Sequence, residues 1–355
     1  MTIRVAVAGA SGWRGRFFVR LAETLDDVEV TGVLSRTGRP AGAIPVYQTV
    51  DELMAGAAPE LVVVSVPPQA SASTITALVA TGTRVLAETP PAPTVRGLRH
   101  LWSSVPDADS VQVAEQYLLM PGHAARLAVT RRGDIGDVTH VQVCSTHGYH
   151  AVSLMRGYLG IVDDETPVTV SATAVTGRLA DPLDRSGWTG GEEPQPAQDV
   201  ISVLDFGDGR SGLYDFTDNQ WHNQLRMRSI VIRGALGEIR NDDIVRLSAP
   251  RTIVREHICR SQLGYDLNLD GFDTEHLTLG ADVIWRNSFL GQRLMDEEIA
   301  IATMLRAAAD WAVDAGPPPY PLRRGIVDQL IALAIVDAVK RGQPVRVEPA
   351  KVLAP

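Results

Sequence analysis

The chain has 355 residues, of which 45% are hydrophobic and 21% are charged, and its formal net charge is −9 at pH 7. This length suggests about two domains, and the composition is typical of a soluble globular protein. A negative net charge without any basic run argues against nucleic-acid binding, and no apolar stretch approaches the length that spans a bilayer. Two distant cysteines, Cys144 and Cys259, form neither a disulfide framework nor a zinc motif. Since the N-terminus lacks a signal-peptide pattern, we expect a cytoplasmic protein.

The chain begins with an apolar run over residues 3–8 that leads into a glycine-rich turn and then a helical pattern. Gly9, Gly12 and Gly15 follow the run at three-residue intervals. A helix that starts at such a turn directs free N–H groups and its positive dipole end at the group above it, which suits a pyrophosphate. The spacing differs from the usual G-x-G-x-x-G motif. An ordinary strand–turn–helix unit therefore remains the alternative.

Strand and helix patterns alternate through the first third of the chain. After the first strand and its helix, we predict strands over residues 28–34, 61–66, 84–87 and 110–114, and helices over 70–81 and 95–103. This alternation predicts a parallel, doubly wound sheet with right-handed crossovers. We therefore predict a Rossmann dinucleotide-binding domain over residues 1–120.

The pattern changes after Tyr117, and we predict a second, α+β domain over residues 121–355 with a mostly antiparallel open sheet. The predicted helices cover residues 121–132, 295–313 and 326–341, and the predicted strands cover 138–144, 200–206, 212–216 and 227–234. The segment 178–198 is rich in Gly, Pro, Asp and Glu, so we expect a long loop there. The whole chain is thus predicted to have an α/β fold, with an N-terminal Rossmann domain and a C-terminal α+β domain.

Two predicted strands of the second domain, over residues 200–204 and 230–232, place apolar residues on both faces. An antiparallel sheet of this type has helices on one face, and a large apolar face is seldom left in water. We therefore expect a homodimer or homotetramer formed through this sheet.

The end of the second predicted strand indicates which dinucleotide the first domain prefers. An NAD site usually has an Asp or Glu here, but this chain has Ser35, Arg36 and Arg39 instead. These side chains suit the 2′-phosphate of NADP, and Arg14 in the glycine turn is expected close enough to contribute. The sequence therefore favours NADP, with NAD as the alternative cofactor. The other interpretation is that these arginines are solvated loop residues.

Two later strands end in prolines, at Ser65-Val66-Pro67-Pro68 and at Glu88-Thr89-Pro90-Pro91. At this point the chain resembles the Gfo/Idh/MocA family of NAD(P)-dependent oxidoreductases. The resemblance rests on the glycine turn, these proline segments, the segment over residues 80–90, the sequence Thr146-His147-Gly148-Tyr149-His150, and the closing segments over 296–300 and 320–328. The resemblance covers nearly the whole chain. It implies cofactor contacts from the following residues: Gly9, Ala10, Ser11, Gly12, Trp13, Arg14, Ser35, Arg36, Ser65, Val66, Pro67, Ser71, Glu88, Thr89, Pro90 and Gln116.

The chain departs from the family pattern at three polar positions. Thr89 stands where the family has the lysine of its Glu-Lys-Pro motif, Thr146 replaces an aspartate, and Ser71 replaces a histidine of the proline loop. The only lysines of this chain, Lys340 and Lys351, lie far away near its C-terminus. His150 is thus the remaining family residue suited to acid–base chemistry.

We predict His150 as the acid–base group, with Tyr149, Thr89 and Thr146 as hydrogen-bonding partners. The alternatives are a structural histidine at a helix start and an H-x-x-H metal site with His147, for which no third ligand is evident. We also predict His147, Trp221 and His222 as substrate contacts; for Trp221 and His222 the alternative is a solvated hairpin.

These features predict an NADP-dependent dehydrogenase or reductase that acts on a small hydroxyl or carbonyl compound, sugar-like or polyol-like. The family also includes non-catalytic members, so a dinucleotide-binding regulator or scaffold is the alternative. A third branch uses tightly held NAD for net hydrolysis of glycosides. Fold alone does not distinguish these activities.

Overall fold

A computed structural model of the protein describes residues 2–38, 42–184, 187–263 and 273–354. Arg39, predicted at the cofactor ribose, lies outside the described residues. The described chain forms a six-stranded parallel sheet and an eleven-stranded, mostly antiparallel sheet, with a separate two-stranded hairpin. This architecture confirms the predicted α/β fold class. No described helix is long and apolar enough to cross a membrane.

The first sheet contains the strands predicted in the first third of the chain. Its strands are β1 (Ile3–Ala8), β2 (Val28–Leu34), β3 (Val46–Tyr47), β4 (Leu61–Val64), β5 (Arg84–Ala87) and β6 (Val111–Val113). The connecting helices are α1 (Trp13–Ala22), α2 (Val50–Ala57), α3 (Pro68–Val79) and α4 (Val95–Ser104). Helix α2, which the sequence analysis did not predict, begins at a capping box formed by Thr49 and Glu52.

The strands of this sheet lie in the order β3-β2-β1-β4-β5-β6, and all are parallel. Every residue of β4 is at most 1% exposed, as expected for an apolar run that helices cover on both faces. The chain leaves β1 and β4 in opposite directions along the sheet. Their carboxyl ends therefore border a crevice of the kind that binds ligands in open α/β sheets.

The second sheet is larger than the sequence predicted. Its strands are β7 (Val138–Cys144), β8 (Val168–Leu179), β11 (Gln195–Gly207), β12 (Arg210–Thr217), β13 (Ser229–Gly234), β14 (Gly237–Arg240), β15 (Asp243–Ala249), β16 (Thr252–Gln262), β17 (Thr274–Leu279), β18 (Asp282–Arg286) and β19 (Val345–Val347). The remaining helices are α5 (Pro121–Arg131), α6 (Gly148–Tyr158), α7 (Asp296–Ala312), α8 (Leu322–Arg341) and α9 (Ala350–Leu353), and two 3-10 helices cover Ala108–Ser110 and Tyr117–Leu119.

The predicted long loop over residues 178–198 is wrong. Strands β8 and β11 extend into this segment and pair antiparallel, with Gln195 opposite Leu179. Between them lies a small hairpin of β9 (Leu183–Asp184) and β10 (Gly187–Trp188). Most residues at this end of the β8–β11 pair are exposed, so polar residues are tolerated and the composition resembles that of a loop.

One face of the large sheet is covered by helices α6 and α8, and the opposite face presents apolar side chains to solvent. Along β11, Ser202 and Leu204 are buried, whereas Ile201 and Val203 are 43% and 52% exposed. This alternation places the buried residues on the helix-covered side.

Helix α7 joins the two sheets through its acidic first turn. The sequence predicts that Asp296, Glu297 and Glu298 stabilise the helix dipole, and the structure places all three in the first turn. Each also pairs with an arginine from another element: Arg260 of β16 with Asp296, Arg14 of α1 with Glu297, and Arg20 of α1 with Glu298. The start of α7 is thereby tied to the glycine turn and to the large sheet.

Candidate functional site

The glycine turn lies at the carboxyl end of β1, and its backbone is packed tightly against β4. A Cβ atom on Gly9 would lie 2.3 Å from the Ser65 carbonyl oxygen, and one on Gly15 would lie 2.4 Å from the Gly9 oxygen. Gly12 is the N-cap of α1 and supplies no side-chain cap to the first N–H groups. The turn therefore presents uncapped backbone donors to the crevice, an arrangement that fits a pyrophosphate.

The end of β2 carries the residues predicted at the cofactor ribose. Ser35 is buried, with its Oγ 3.3 Å from Thr37 Oγ1. Arg36 is exposed and makes no ion pair with any residue of the described ranges. Its guanidinium is thus available to an anionic ligand at this edge of the sheet.

Arg14 lies elsewhere than predicted. Its guanidinium pairs with Glu88 at 3.2 Å and with Glu297 at 2.9 Å, and it packs over the Trp13 ring at 4.8 Å. These two carboxylates hold the side chain towards the start of α7. The structure therefore does not bring Arg14 to Ser35 and Arg36.

The other predicted cofactor residues follow β4, β5 and β6 at the same sheet edge. Ser65, Val66 and Pro67 lead from β4 into α3, in which Ser71 is 4% exposed. Glu88, Thr89 and Pro90 follow β5, and the Thr89 amide donates to Glu88 Oε2 at 2.8 Å. Burial raises the pKa of the Glu88 carboxyl, while the charge of Arg14 opposes that shift. Gln116, after β6, is 3% exposed.

A cavity of about 670 Å³ lies where the glycine turn, the start of α6 and the 218–228 connection of the second sheet meet. It brings His150 together with the three predicted substrate contacts, His147, Trp221 and His222. A larger cavity of about 1050 Å³ lies on the other side of the 115–119 segment, and none of the predicted site residues lines it. The smaller cavity is therefore the candidate active site.

His150 is the third residue of α6, and its imidazole is held by a buried carboxylate. His150 Nδ1 lies 2.7 Å from Glu115 Oε2, and the Glu115 side chain is fully buried. The Tyr117 ring stacks on the imidazole at 4.3 Å between centroids. An ionised carboxylate only accepts hydrogen bonds, so this contact favours the tautomer with hydrogen on Nδ1. Nε2 then keeps a lone pair that can take a proton.

Glu115 is a partner of His150 that the sequence did not predict. It lies next to Gln116, which was predicted from the family resemblance, and 35 positions before His150. Its position directly after a predicted parallel strand could have indicated Glu115, because ligands bind at that edge of the sheet.

Three predicted partners of His150 do not line the cavity. Tyr149 and Thr146 are buried, at 5% and 0% exposure, and Thr89 lies at the sheet edge. Tyr149 follows Gly148 into α6, and its ring contacts the His150 ring edge-on at 5.3 Å between centroids. The structure places Tyr149 and Thr146 in the protein interior rather than in the cavity wall, and their role as hydrogen-bonding partners of His150 stays a prediction.

Two further histidines at the cavity are held neutral. Burial lowers the pKa of His123 to about 3, and its Nδ1 lies 2.8 Å from the Tyr158 hydroxyl. Desolvation and the neighbouring His150 lower the pKa of His147 to about 4. Neither imidazole is charged near pH 7. In the described ranges no three His, Cys, Asp or Glu side chains cluster as metal ligands would, so the H-x-x-H alternative finds no third ligand there.

The wall opposite His150 is formed by the connection between β12 and β13. Trp221 is 36% exposed and contacts the His222 ring edge-on at 4.3 Å. His222 Nε2 lies 3.2 Å from Asp181 Oδ1, and Asn219 and Asn223 donate to the same carboxylate. Asp181 thus fixes the segment that presents Trp221 and His222.

A model of a known protein family matches the N-terminal third of the chain. Residues 3–116 match the model of the Gfo/Idh/MocA oxidoreductase family with an NAD-binding Rossmann fold. Among curated protein sequences, none matches this chain.

Solved structures share the fold over nearly the whole chain. A myo-inositol dehydrogenase from Corynebacterium glutamicum is 17% identical, with a TM-score of 0.67 over 99% of this chain and 100% of that one. An oxidoreductase from Agrobacterium radiobacter, solved with NAD⁺, L-tartaric acid and magnesium, is 14% identical, with a TM-score of 0.68 over 99% and 100%. A levoglucosan dehydrogenase solved with NADH and levoglucosan is 15% identical, with a TM-score of 0.66 over 98% and 100%. At these identities the similarity demonstrates the fold alone.

Proposed function

We propose, from the premise that residues 3–116 form the NAD-binding Rossmann domain of a Gfo/Idh/MocA oxidoreductase, that the chain is an NADP-dependent dehydrogenase or reductase. Its substrate would be a small hydroxyl or carbonyl compound of the sugar or polyol type. The observation that carries the proposal is His150, which lies in the wall of a cavity next to the glycine turn and is held from behind by the buried Glu115 carboxylate.

The residues at the sheet edge suit a dinucleotide. Gly9 and Gly15 keep the turn tight, and the uncapped start of α1 offers backbone donors to a pyrophosphate. Arg36 would pair with the 2′-phosphate. The bound dinucleotide would supply or accept the hydride, and the protein would orient the substrate and move the proton.

His150 would carry that proton. In the oxidation direction, Nε2 accepts the hydroxyl proton of the substrate as the C–H hydride leaves, and in the reduction direction it returns that proton to the carbonyl oxygen. Glu115, which accepts from Nδ1, stabilises the imidazolium formed in the first case. Glu115 is thus a positioning residue that acts through His150.

Among the described residues that line the cavity, His150 is the imidazole paired with a fully buried carboxylate. Lys340 and Lys351 lie on α8 and α9, away from the cavity. Arg14 lines the cavity, but a guanidinium does not release its proton, and two carboxylates already pair with it. These facts support His150 as the acid–base group.

The test is an absorbance screen at the nicotinamide band with sugars, polyols, keto acids and imines, with NADP⁺ or NADPH as appropriate. We expect turnover with at least one hydroxyl or carbonyl compound. Tight dinucleotide binding without turnover across the panel would instead support a binding protein on the same fold. The replacement of the family lysine by Thr89 and of its aspartate by Thr146 is the observation that favours this second candidate.

We predict that NADP binds more tightly than NAD and that Arg36→Ala removes most of the difference. A charge-assisted hydrogen bond contributes ~1.5–3 kcal/mol, which corresponds to ~10–150-fold in affinity. The variant should leave NAD affinity within a few-fold, because only NADP carries the 2′-phosphate. Titration calorimetry with both cofactors tests this, and Arg16→Ala on the exposed side of α1 is a matched control. Equal affinities of the wild type, or a preference for NAD, would show that Arg36 does not bind the cofactor.

We also propose a homodimer, or a tetramer of such dimers, formed through the exposed face of the large sheet. Ile201 and Val203 lie on that face, and burying them in an interface would remove apolar surface from water. Light scattering at micromolar concentration should give at least twice the 38.2 kDa chain mass. Ile201→Asp with Val203→Asp should lower that mass, and a monomeric wild type would contradict the proposal.

A further inference from the structure

Arg228 lines the candidate active site from the side of the second sheet. It lies at the end of the connection that leads into β13, and its side chain is exposed. Its Nη2 donates to the Trp221 carbonyl oxygen at 2.6 Å. This bond holds the guanidinium beside the segment that presents Trp221 and His222.

Arg228 differs from the other charged groups of the cavity because it has no counter-ion there. Glu88 and Glu297 both pair with Arg14, and Arg260 pairs with Asp296. The structure as described, over 2–38, 42–184, 187–263 and 273–354, places no carboxylate within 4.0 Å of the Arg228 guanidinium. The Arg228 guanidinium therefore lines this cavity without an ion-pair partner among the described residues.

The neighbouring imidazoles do not add an unpaired positive charge to this wall of the cavity. His123 is uncharged near pH 7 because burial lowers its pKa, and His222 lies against the Asp181 carboxylate. Arg228 is therefore the unpaired guanidinium on this wall, and it would attract a bound anion.

The anion at this position would belong to the substrate rather than to the dinucleotide phosphates. Arg36, at the predicted ribose end of the cofactor groove, does not line this cavity, and the glycine turn meets it only through Arg14. Arg228 belongs instead to the wall formed by Trp221 and His222, opposite the dinucleotide-binding domain. A group that contacts Arg228 therefore lies on the substrate side of the site.

We infer that Arg228 selects substrates that carry a carboxylate in addition to the reacting hydroxyl or carbonyl group, such as sugar acids and other hydroxy acids. This inference rests on the proposed function and narrows its substrate class. A guanidinium binds a carboxylate through two parallel hydrogen bonds, and the one charge of the carboxylate equals the one charge of Arg228. A phosphate ester carries a charge of about −1.5 to −2 near pH 7, so Arg228 alone would leave part of that charge without a partner.

The test uses matched pairs of ligands that differ in one carboxylate: glucuronate and glucose, galacturonate and galactose, and glycerate and glycerol. Binding to the NADP-loaded 355-residue protein is measured by calorimetry, and glucose 6-phosphate serves as the phosphate arm. We expect at least one acid to bind ~10-fold or more tightly than its neutral partner, because the hydrogen bonds to Arg228 are charge-assisted. Arg228→Gln should abolish that preference, and Arg228→Lys, which keeps the charge but not the planar fork, should retain part of it.

Arg226→Gln is the matched control. It removes the same charge from the same connection, but Arg226 does not line the cavity. The inference predicts that this variant keeps the preference for the acid. Thermal unfolding of each variant verifies that the exposed substitutions leave the fold intact.

Three results would overturn the inference: neutral partners that bind as tightly as the acids, an acid preference that survives Arg228→Gln, and a preference that Arg226→Gln abolishes as well. Stronger binding of glucose 6-phosphate than of glucuronate would also contradict the carboxylate assignment. Failure of the proposed function would give a different result. An acid that binds in an Arg228-dependent way, without any change in nicotinamide absorbance, would support this inference and contradict the oxidoreductase assignment.

Discussion

His150→Ala is expected to lower turnover by ~10²–10⁴-fold, which is the usual contribution of a positioned general acid or base. The variant loses the only imidazole of the described cavity that a buried carboxylate holds at Nδ1. The affinity for NADP should change little, since His150 lies in α6 and not in the glycine turn. Steady-state kinetics on any substrate of the wild type, together with cofactor titration, measures both quantities.

His257→Ala is the control for this experiment. His257 also has its Nδ1 near a carboxylate, 2.8 Å from Asp243 Oδ1, but both side chains are more than half exposed and lie outside the cavity. Its removal should leave turnover unchanged. A His150→Ala enzyme as active as the wild type would exclude His150 as the acid–base group.

Glu115→Gln separates positioning from proton transfer at the same pair. A glutamine oxygen can still accept from Nδ1, but it carries no charge to stabilise the imidazolium. We therefore expect the rate of oxidation to fall and the pH–rate profile of the variant to differ from that of the wild type. A merely structural Glu115 would leave that profile unchanged.

Asp328→Ala is expected to lower the free energy of unfolding by about 3–5 kcal/mol, the range observed when one partner of a buried ion pair is removed. Asp328 is fully buried in α8, and its Oδ1 lies 2.5 Å from Arg156 Nη1 of α6. Asp328 also accepts a hydrogen bond from the Tyr320 hydroxyl. The substitution leaves the Arg156 guanidinium, 1% exposed, with Asp164 as its remaining carboxylate partner. We expect the effect near the lower end of the range for that reason.

Urea-induced unfolding measures this change, and Asp337→Ala provides the control on the same helix. Asp337 pairs with Arg341 at 2.7 Å with both side chains more than a third exposed, and such pairs contribute about 0.3–0.5 kcal/mol. If both variants lowered the free energy of unfolding by similar amounts, the buried Arg156–Asp328 pair would contribute no more to stability than an exposed pair.

The first sheet was predictable because its strands are apolar on both faces. Runs such as Leu61–Val64 are continuous in sequence, and each is bounded by turn or helix signals. The prediction was less successful in the second sheet, where Thr252–Gln262 and Asp243–Ala249 are largely exposed and carry charged residues. In such strands the local pattern is weak, and pairing with neighbours far along the chain determines the structure.

In the candidate site, too, the sequence predicted residues that belong to local motifs but not the contacts between distant segments. His150, Trp221 and His222 were found from local motifs, and the structure brings them to one cavity. The Glu115–His150 contact and the two carboxylate partners of Arg14 join residues at least 35 positions apart. No spacing rule predicts such contacts, because they depend on how the sheet edge, α6 and α7 pack against each other.

The central claim is that the chain transfers a hydride although the family lysine is replaced by Thr89. The most direct measurement uses NADPH deuterated at the transferable C4 position, with mass spectrometry of a panel of keto sugars, keto acids and imines after incubation with the protein. We predict that one deuterium appears on the former carbonyl or imine carbon of at least one compound, and that His150→Ala reduces this incorporation by ~10²-fold or more. Dinucleotide binding without deuterium in any product, or equal incorporation by the wild type and the variant, would contradict the account.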